Sequence, residues 1–120
     1  MSFASAIAAA QKAARNATGG LVTYARGVET VTLTAGRGRS EFETERKGIL
    51  IKLEARDFLI ATAELILAGA VTLPARGDTI SETVGDTTYT YEVLELNGEP
   101  AWRFADEYRQ QLRVHTKRTG

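Results

Sequence analysis

The clearest alternation of apolar and polar positions lies in residues 73–96, LPARGDTISETVGDTTYTYEVLEL. Tyr89, Tyr91 and Val93 take one face of a predicted strand, and Thr88, Thr90 and Glu92 take the other. The alternation slips at Leu94 and Leu96, which predicts a β-bulge near Val93-Leu94. Upstream, Pro74 fixes its own φ and holds Leu73 extended, and Gly77-Asp78 supplies a turn. A strand then runs through Ile80 and reverses near Gly85-Asp86. The same period of two recurs elsewhere. Ile49, Ile51 and Leu53 alternate with Lys52, Glu54 and Arg56, and Leu112, Val114 and Thr116 with Arg113, His115 and Lys117. Val31 and Leu33 oppose Thr30, Thr32 and Thr34, so residues 28–34 pair with 21–26 through a turn at Arg26-Gly27.

Other segments read differently. Phe3, Ile7 and Ala10 fall at helical spacing in an alanine-rich stretch, 2–15, that stops at residues 16–20. Such a helix either packs on the domain's own sheet or serves as a mobile arm, because alanine buries little area. The run FLIATAELILAG after Asp57 fits a short helix capped by that residue. It fits better a strand to about Ile60 and a helical turn over 61–68, ended by Gly69. Residues 36–48 begin with Gly36-Arg37-Gly38-Arg39-Ser40 and stay charged, the pattern of a long flexible loop that is either solvated or ordered by a partner. Asn97-Gly98-Glu99-Pro100 is a turn signal, 102–108 an aromatic-rich connection, and 117–120 a frayed end. The expected fold is mainly β: a small barrel or sandwich of about six antiparallel strands with an N-terminal helix and one short helical turn. It forms a single domain over 1–120, with a helical arm at 1–18 and a β module at 20–117 carrying the flexible loop 36–48.

Composition excludes more than it identifies. Fifteen basic and fifteen acidic residues cancel, which argues against bulk attraction to nucleic acid or anionic membrane. Residues 1–56 carry nine Lys/Arg against five Asp/Glu and residues 57–120 carry six against ten, so the halves are opposed in charge. That asymmetry suits head-to-tail association. There is no cysteine, hence no disulfide or thiolate metal site. No apolar run approaches the roughly 20 residues of a membrane span, and no signal peptide is evident. His115, between Arg113 and Lys117, reads as a surface or interface residue and a poor metal ligand. No nucleophile elbow, phosphate loop or dinucleotide fingerprint occurs, and Asp78 and Asp86 sit where turns favour aspartate. No enzyme and no cofactor is expected. A nucleic-acid-binding small β-barrel is the alternative, although Tyr89 and Tyr91 alternate with Thr and Glu rather than with cations.

Pro74-x-x-Gly77-Asp78-x-Ile80, a short hairpin, Tyr91-x-Val93, Trp102-Arg103 and the closing Arg113-Val-His-Thr-Lys117 resemble the small head–tail joining proteins of tailed bacteriophages. The resemblance covers residues 55–117 and is carried by order and spacing. It implies a non-enzymatic structural protein of the neck, of head-closure or tail-terminator type, whose copies form a homo-oligomeric ring around the DNA channel. The implied partners are neighbouring copies, the portal or adaptor, and tail-terminator or tail-tube proteins. DNA passes the lumen without specific binding, no membrane is involved, and assembly takes place in the host cytoplasm before the protein resides in the virion. Candidate assembly contacts are Arg37, Arg39, Glu41, Glu43 and Arg46 in the loop, Phe3 and Ile7 on the helix, and Arg113, His115 and Lys117 on the last strand. On this reading, deleting residues 37–46 abolishes joining and spares the fold.

Overall fold

The computed structural model describes residues 3–96 and 98–120. Ser2 of the expected helix and Asn97 of the expected turn lie outside them. Helix α1 (Phe3–Thr18) is followed by β1 (Gly20–Arg26), β2 (Glu29–Arg46) and β3 (Ile49–Ala61). A 3-10 turn (Thr62–Glu64) and two short strands, β4 (Ile66–Leu67) and β5 (Ala70–Val71), come next. The chain ends with β6 (Thr79–Val84), β7 (Thr87–Val93), β8 (Trp102–Phe104) and β9 (Gln111–Arg118).

The strands β3-β2-β1-β6-β7-β9 pair in that order, every neighbour antiparallel, and β9 returns to β3 to close a six-stranded barrel. Closure removes the open edges that so many short strands would otherwise leave. On its other side, β9 meets β7 at residues 116–118 and β8 at 112–114. A period of two fills the interior, where Val22, Tyr24, Leu33, Phe58, Ile60, Ile80, Val93, Leu112 and Val114 are buried together. In β3 the core face is in phase with Arg56, so Ile49, Ile51 and Leu53, expected on the apolar face, lie outside this core. Leu65 and Leu67, from the segment after β3, join them.

The loop expected over 36–48 is instead strand. β2 runs for 18 residues and pairs with β3 from Gly36↔Leu59 to Arg46↔Ile49, turning at Lys47 and Gly48, both at positive φ. Gly36 and Gly38 are places of close approach rather than breakers. A Cβ on Gly36 would lie 3.2 Å from Arg15 Cγ, and one on Gly38 would lie 3.2 Å from Arg113 Nη2. Deleting 37–46 would therefore remove part of a barrel strand, and the fold would not be spared.

The expected short helical turn is present, though shorter than 61–68, and three smaller expectations fail. The helical turn over 61–68 shrinks to one 3-10 turn, and Ala68-Gly69, at φ +53° and +78°, folds the rest into a two-stranded hairpin. The slip at Leu94 marks the end of β7 at Val93 rather than a bulge. The connection 102–108 contains β8, after which Asp106 accepts the amides of Tyr108, Gln110 and Gln111. The last residues are tied down: Thr119 N donates to Thr90 O at 2.8 Å, and Gly120 O accepts from Thr90 N.

Helix α1 ends where Gly19 N donates to Arg15 O at 2.8 Å, and its last turn lies against β2. Arg15 is buried there and donates to Gln111 Oε1 at 2.6 Å. At Gly19 a Cβ would stand 1.7 Å from the Ala35 carbonyl oxygen, which is backbone and cannot swing aside. Gly19→Ala is thus expected to force helix and strand apart at a cost of about 1–3 kcal/mol, whereas Gly20→Ala, with only an arginine tip at 3.8 Å, leaves the junction intact. Thermal melts of the two variants check this.

Candidate functional site

β1 covers the edge of β2 only along residues 29–35, and β9 covers the edge of β3 only along 56–61. From Ser40↔Ala55 to Arg46↔Ile49 the two strands continue as a ribbon with neither outer edge paired to a strand. Alternation gives it two faces. Glu41, Glu43 and Glu45 lie opposite Glu54, Lys52 and Leu50 on one, and Phe42, Thr44 and Arg46 lie opposite Leu53, Ile51 and Ile49 on the other. Its tip exposes Ile49 and Leu50, at 65% and 59%.

Two buried acids fix the root of this ribbon. Glu82, at an interior position of β6, is 2% exposed in its side chain. It accepts Arg37 Nη2 at 2.8 Å, Arg56 Nη2 at 3.2 Å and the Tyr91 hydroxyl at 3.2 Å, so β2, β3, β6 and β7 converge on one carboxylate. Asp57 is fully buried on the opposite side of β3. It accepts Arg113 Nε at 2.6 Å, hydrogen-bonds His115 Nδ1 at 2.7 Å and takes the Ser40 hydroxyl. Phe42 sits edge-on to His115, ring centres 5.3 Å apart. Burial pushes the Asp57 carboxyl up, but the hydrogen bonds from His115 and Ser40, the His115 charge and the Arg113 bond outweigh it and hold the pKa low.

A third acid, Asp78, locks the turn before β6. It is bonded by the Tyr24 hydroxyl, by Arg26 Nε and Nη2 at 2.9 and 2.8 Å, and by the Ala75 amide. Burial, with the Asp78 bond adding to it, pushes the Tyr24 phenol far above its usual range. Arg26–Asp78, Arg37–Glu82 and Arg56–Glu82 each join a cation of residues 1–56 to an acid of 57–120. Part of the charge asymmetry of the sequence halves is therefore paired off within one copy of the chain.

The candidate contacts separate accordingly. Glu41, Glu43 and Arg46 share the ribbon, and Arg39, at its root opposite Arg56, pairs with the ribbon's Glu54 at 2.9 Å. Arg37 instead reaches from β2 to Glu82, half-buried. Arg113 and His115 meet at Asp57, and His115, expected at the surface or at an interface, is 5% exposed within one copy of the chain. Burial follows because Phe42 on the neighbouring ribbon covers the outer face of β9 here. Lys117 is exposed, as is Phe3 in the first turn of α1, while Ile7 is half-buried away from the ribbon. Sequence reasoning missed Glu82 and Asp57. The available signal was an acid in step with Ile80 on a strand, and arginines in step with Phe58 and Leu33 to meet it.

Beside His115 an open groove of about 420 Å³ is lined by Ser40, Phe42, Glu99, Pro100, Trp102 and Arg103. Among the described residues no group of His, Asp and Glu is placed to hold a metal ion, and no helix is long and apolar enough to cross a membrane. What the molecule offers is a rigid closed barrel, a projecting ribbon and an outlying helix, an arrangement suited to protein contacts. Comparison with curated proteins finds no match. The profile of one family, described as phage head-tail joining protein, matches residues 1–120 in full. The resemblance seen over part of the sequence thus extends to its whole length, and the chain belongs to the phage head-tail joining protein family, with a structural role in the phage neck.

Proposed function

We propose that copies of this chain close a homo-oligomeric ring between the portal or adaptor and the tail, with DNA passing through the lumen, and that the β2–β3 ribbon makes the decisive contacts. The observation that carries this reading is the ribbon itself: two edges that pair with no further strand among the described residues, and an exposed tip with Ile49 and Leu50. Arg39 acts from the root of the ribbon, Glu41, Glu43 and Arg46 from the ribbon itself, Phe3 and Ile7 from α1, and Lys117 from the end of β9. Arg37, Arg113 and His115 contribute indirectly, by holding the ribbon's root against the barrel. A heterologous contact of this kind generates a closed ring when its rotation permits. The barrel keeps its shape while these segments order against neighbouring rings.

The test removes the ribbon beyond the last register pair that touches the root. Excising residues 43–52 and joining Phe42 to Leu53 through Asn-Gly preserves that pair and a favourable hairpin turn. The trimmed chain is expected to melt within a few degrees of the parent, because the excised residues contribute nothing to the core. Heads and tails assembled with it are expected to stay separate, and electron microscopy of the purified chain should show rings only for the parent. Efficient joining by the trimmed chain would overturn the assignment.

A further inference from the structure

Beyond Arg56↔Thr116 the strands β3 and β9 part, and the fork between them holds a cavity of about 250 Å³. Arg39, Glu54, Arg56, Thr116 and Arg118 line it. We propose that this fork is a phosphate-binding site and that its ligand is the phosphodiester backbone of nucleic acid, held without regard to base sequence. The assignment concerns a single copy of the chain and stands apart from the ring.

Three arginines reach the fork from three strands, and each is already held. Arg56 Nη2 is anchored on Glu82, and its guanidinium lies 5.6 Å from the Tyr91 ring centre. Arg118 lies 5.4 Å from the ring of Tyr89. Arg39 is paired with Glu54, the acid among the lining residues. Cations fixed before the ligand arrives lose little freedom when it binds. Arg56 Nε, moreover, is buried without a hydrogen-bond partner among the described residues. A buried donor of that kind calls for an acceptor, and among the described residues none bonds it. The oxygens of a tetrahedral phosphate can meet guanidinium groups arriving from several directions, whereas a carboxylate presents only two coplanar oxygens. Free phosphate and a nucleic-acid backbone share this chemistry.

The experiment titrates the full chain at low salt with inorganic phosphate and, separately, with a short DNA duplex, following amide shifts at Gly38 and Thr116. Both probes are expected to shift these amides, and duplex affinity should fall steeply as salt rises. The pair Arg39→Gln with Arg118→Gln should weaken duplex binding at least about tenfold, and Glu54→Gln should strengthen it several-fold. Because the two changes act in opposite directions, a folding defect in one cannot imitate the result. Shifts with phosphate but none with the duplex overturn the nucleic-acid source. Silence with both, or duplex affinity indifferent to the three substitutions, overturns the site. Rings seen by electron microscopy with a silent fork would leave the ring reading intact, so the two failures are distinguishable.

Discussion

Replacing Arg37 and Arg56 together by methionine is expected to destabilise the barrel by about 3–5 kcal/mol, enough to lower Tm by roughly 10–20 °C. The change leaves the Glu82 carboxylate, 2% exposed, with the Tyr91 hydroxyl as its one partner among the described residues. A charge in that position can neither reach water nor find a countercharge, and the loss is the uncompensated desolvation of an ion rather than the strength of two bonds. The converse substitution is expected to be much milder. Glu82→Gln frees two arginines whose side chains are already 35% and 38% exposed, so they relax into solvent, and the amide still occupies the same space. A cost of about 1–2 kcal/mol follows for it. Replacing all three groups by apolar residues of similar volume should fall closer to the parent than the double arginine variant does. Urea unfolding of the three variants decides the point: equal losses for the arginine pair and for Glu82→Gln would mean that burial of the acid is not what makes the cluster costly to break.

What could be read from the sequence was whatever one side of a strand makes plain. Val31 and Leu33, Tyr91 and Val93, and Leu112 and Val114 face the core as their spacing implies, and those strands alone suffice for a small closed β architecture. The reading failed where period two is written in charges rather than in apolar residues. Arg37, Arg39, Glu41, Glu43 and Glu45 alternate with Gly38, Ser40, Phe42 and Thr44 as cleanly as any core strand does. Because no member of the first set is apolar, and because Gly36 and Gly38 resemble breakers, composition hid the second part of a strand of 18 residues, from Gly36 to Arg46. The fork, the ribbon root and the buried acids all depend on pairings between residues far apart in the chain, such as Asp57 with His115 and Arg37 with Glu82. No local pattern specifies those partners. His115 reads as a surface or interface residue because its own neighbours are cations, whereas within the fold it bonds Asp57 and meets Phe42 from another strand.

Replacing Asp57 by alanine should be comparably costly, about 3–5 kcal/mol, since it strands Arg113 and His115, 23% and 6% exposed in their side chains, beside an empty site. Asp57→Asn keeps the volume and separates the charge from the packing. The dependence on pH follows from the direction in which Asp57 and Asp78 are held, both below the ordinary carboxylate value; for Asp78, hydrogen bonds from Arg26 and Tyr24 overcome the opposing push of burial. A carboxyl with a depressed folded pKa binds its proton more readily in the unfolded chain. The stability it confers is therefore complete above the unfolded value of about 4 and drains away as pH falls through the lower folded value. The parent should lose Tm steeply below about pH 4, and Asp57→Asn, already short of that contribution, should follow a shallower course over the same range. A uniform loss of stability would make Asp57 one more buried contact. If the acid is what fastens the ribbon to β9, amide exchange in Asp57→Asn should quicken first across residues 40–56 and leave the Glu82 side of the barrel protected.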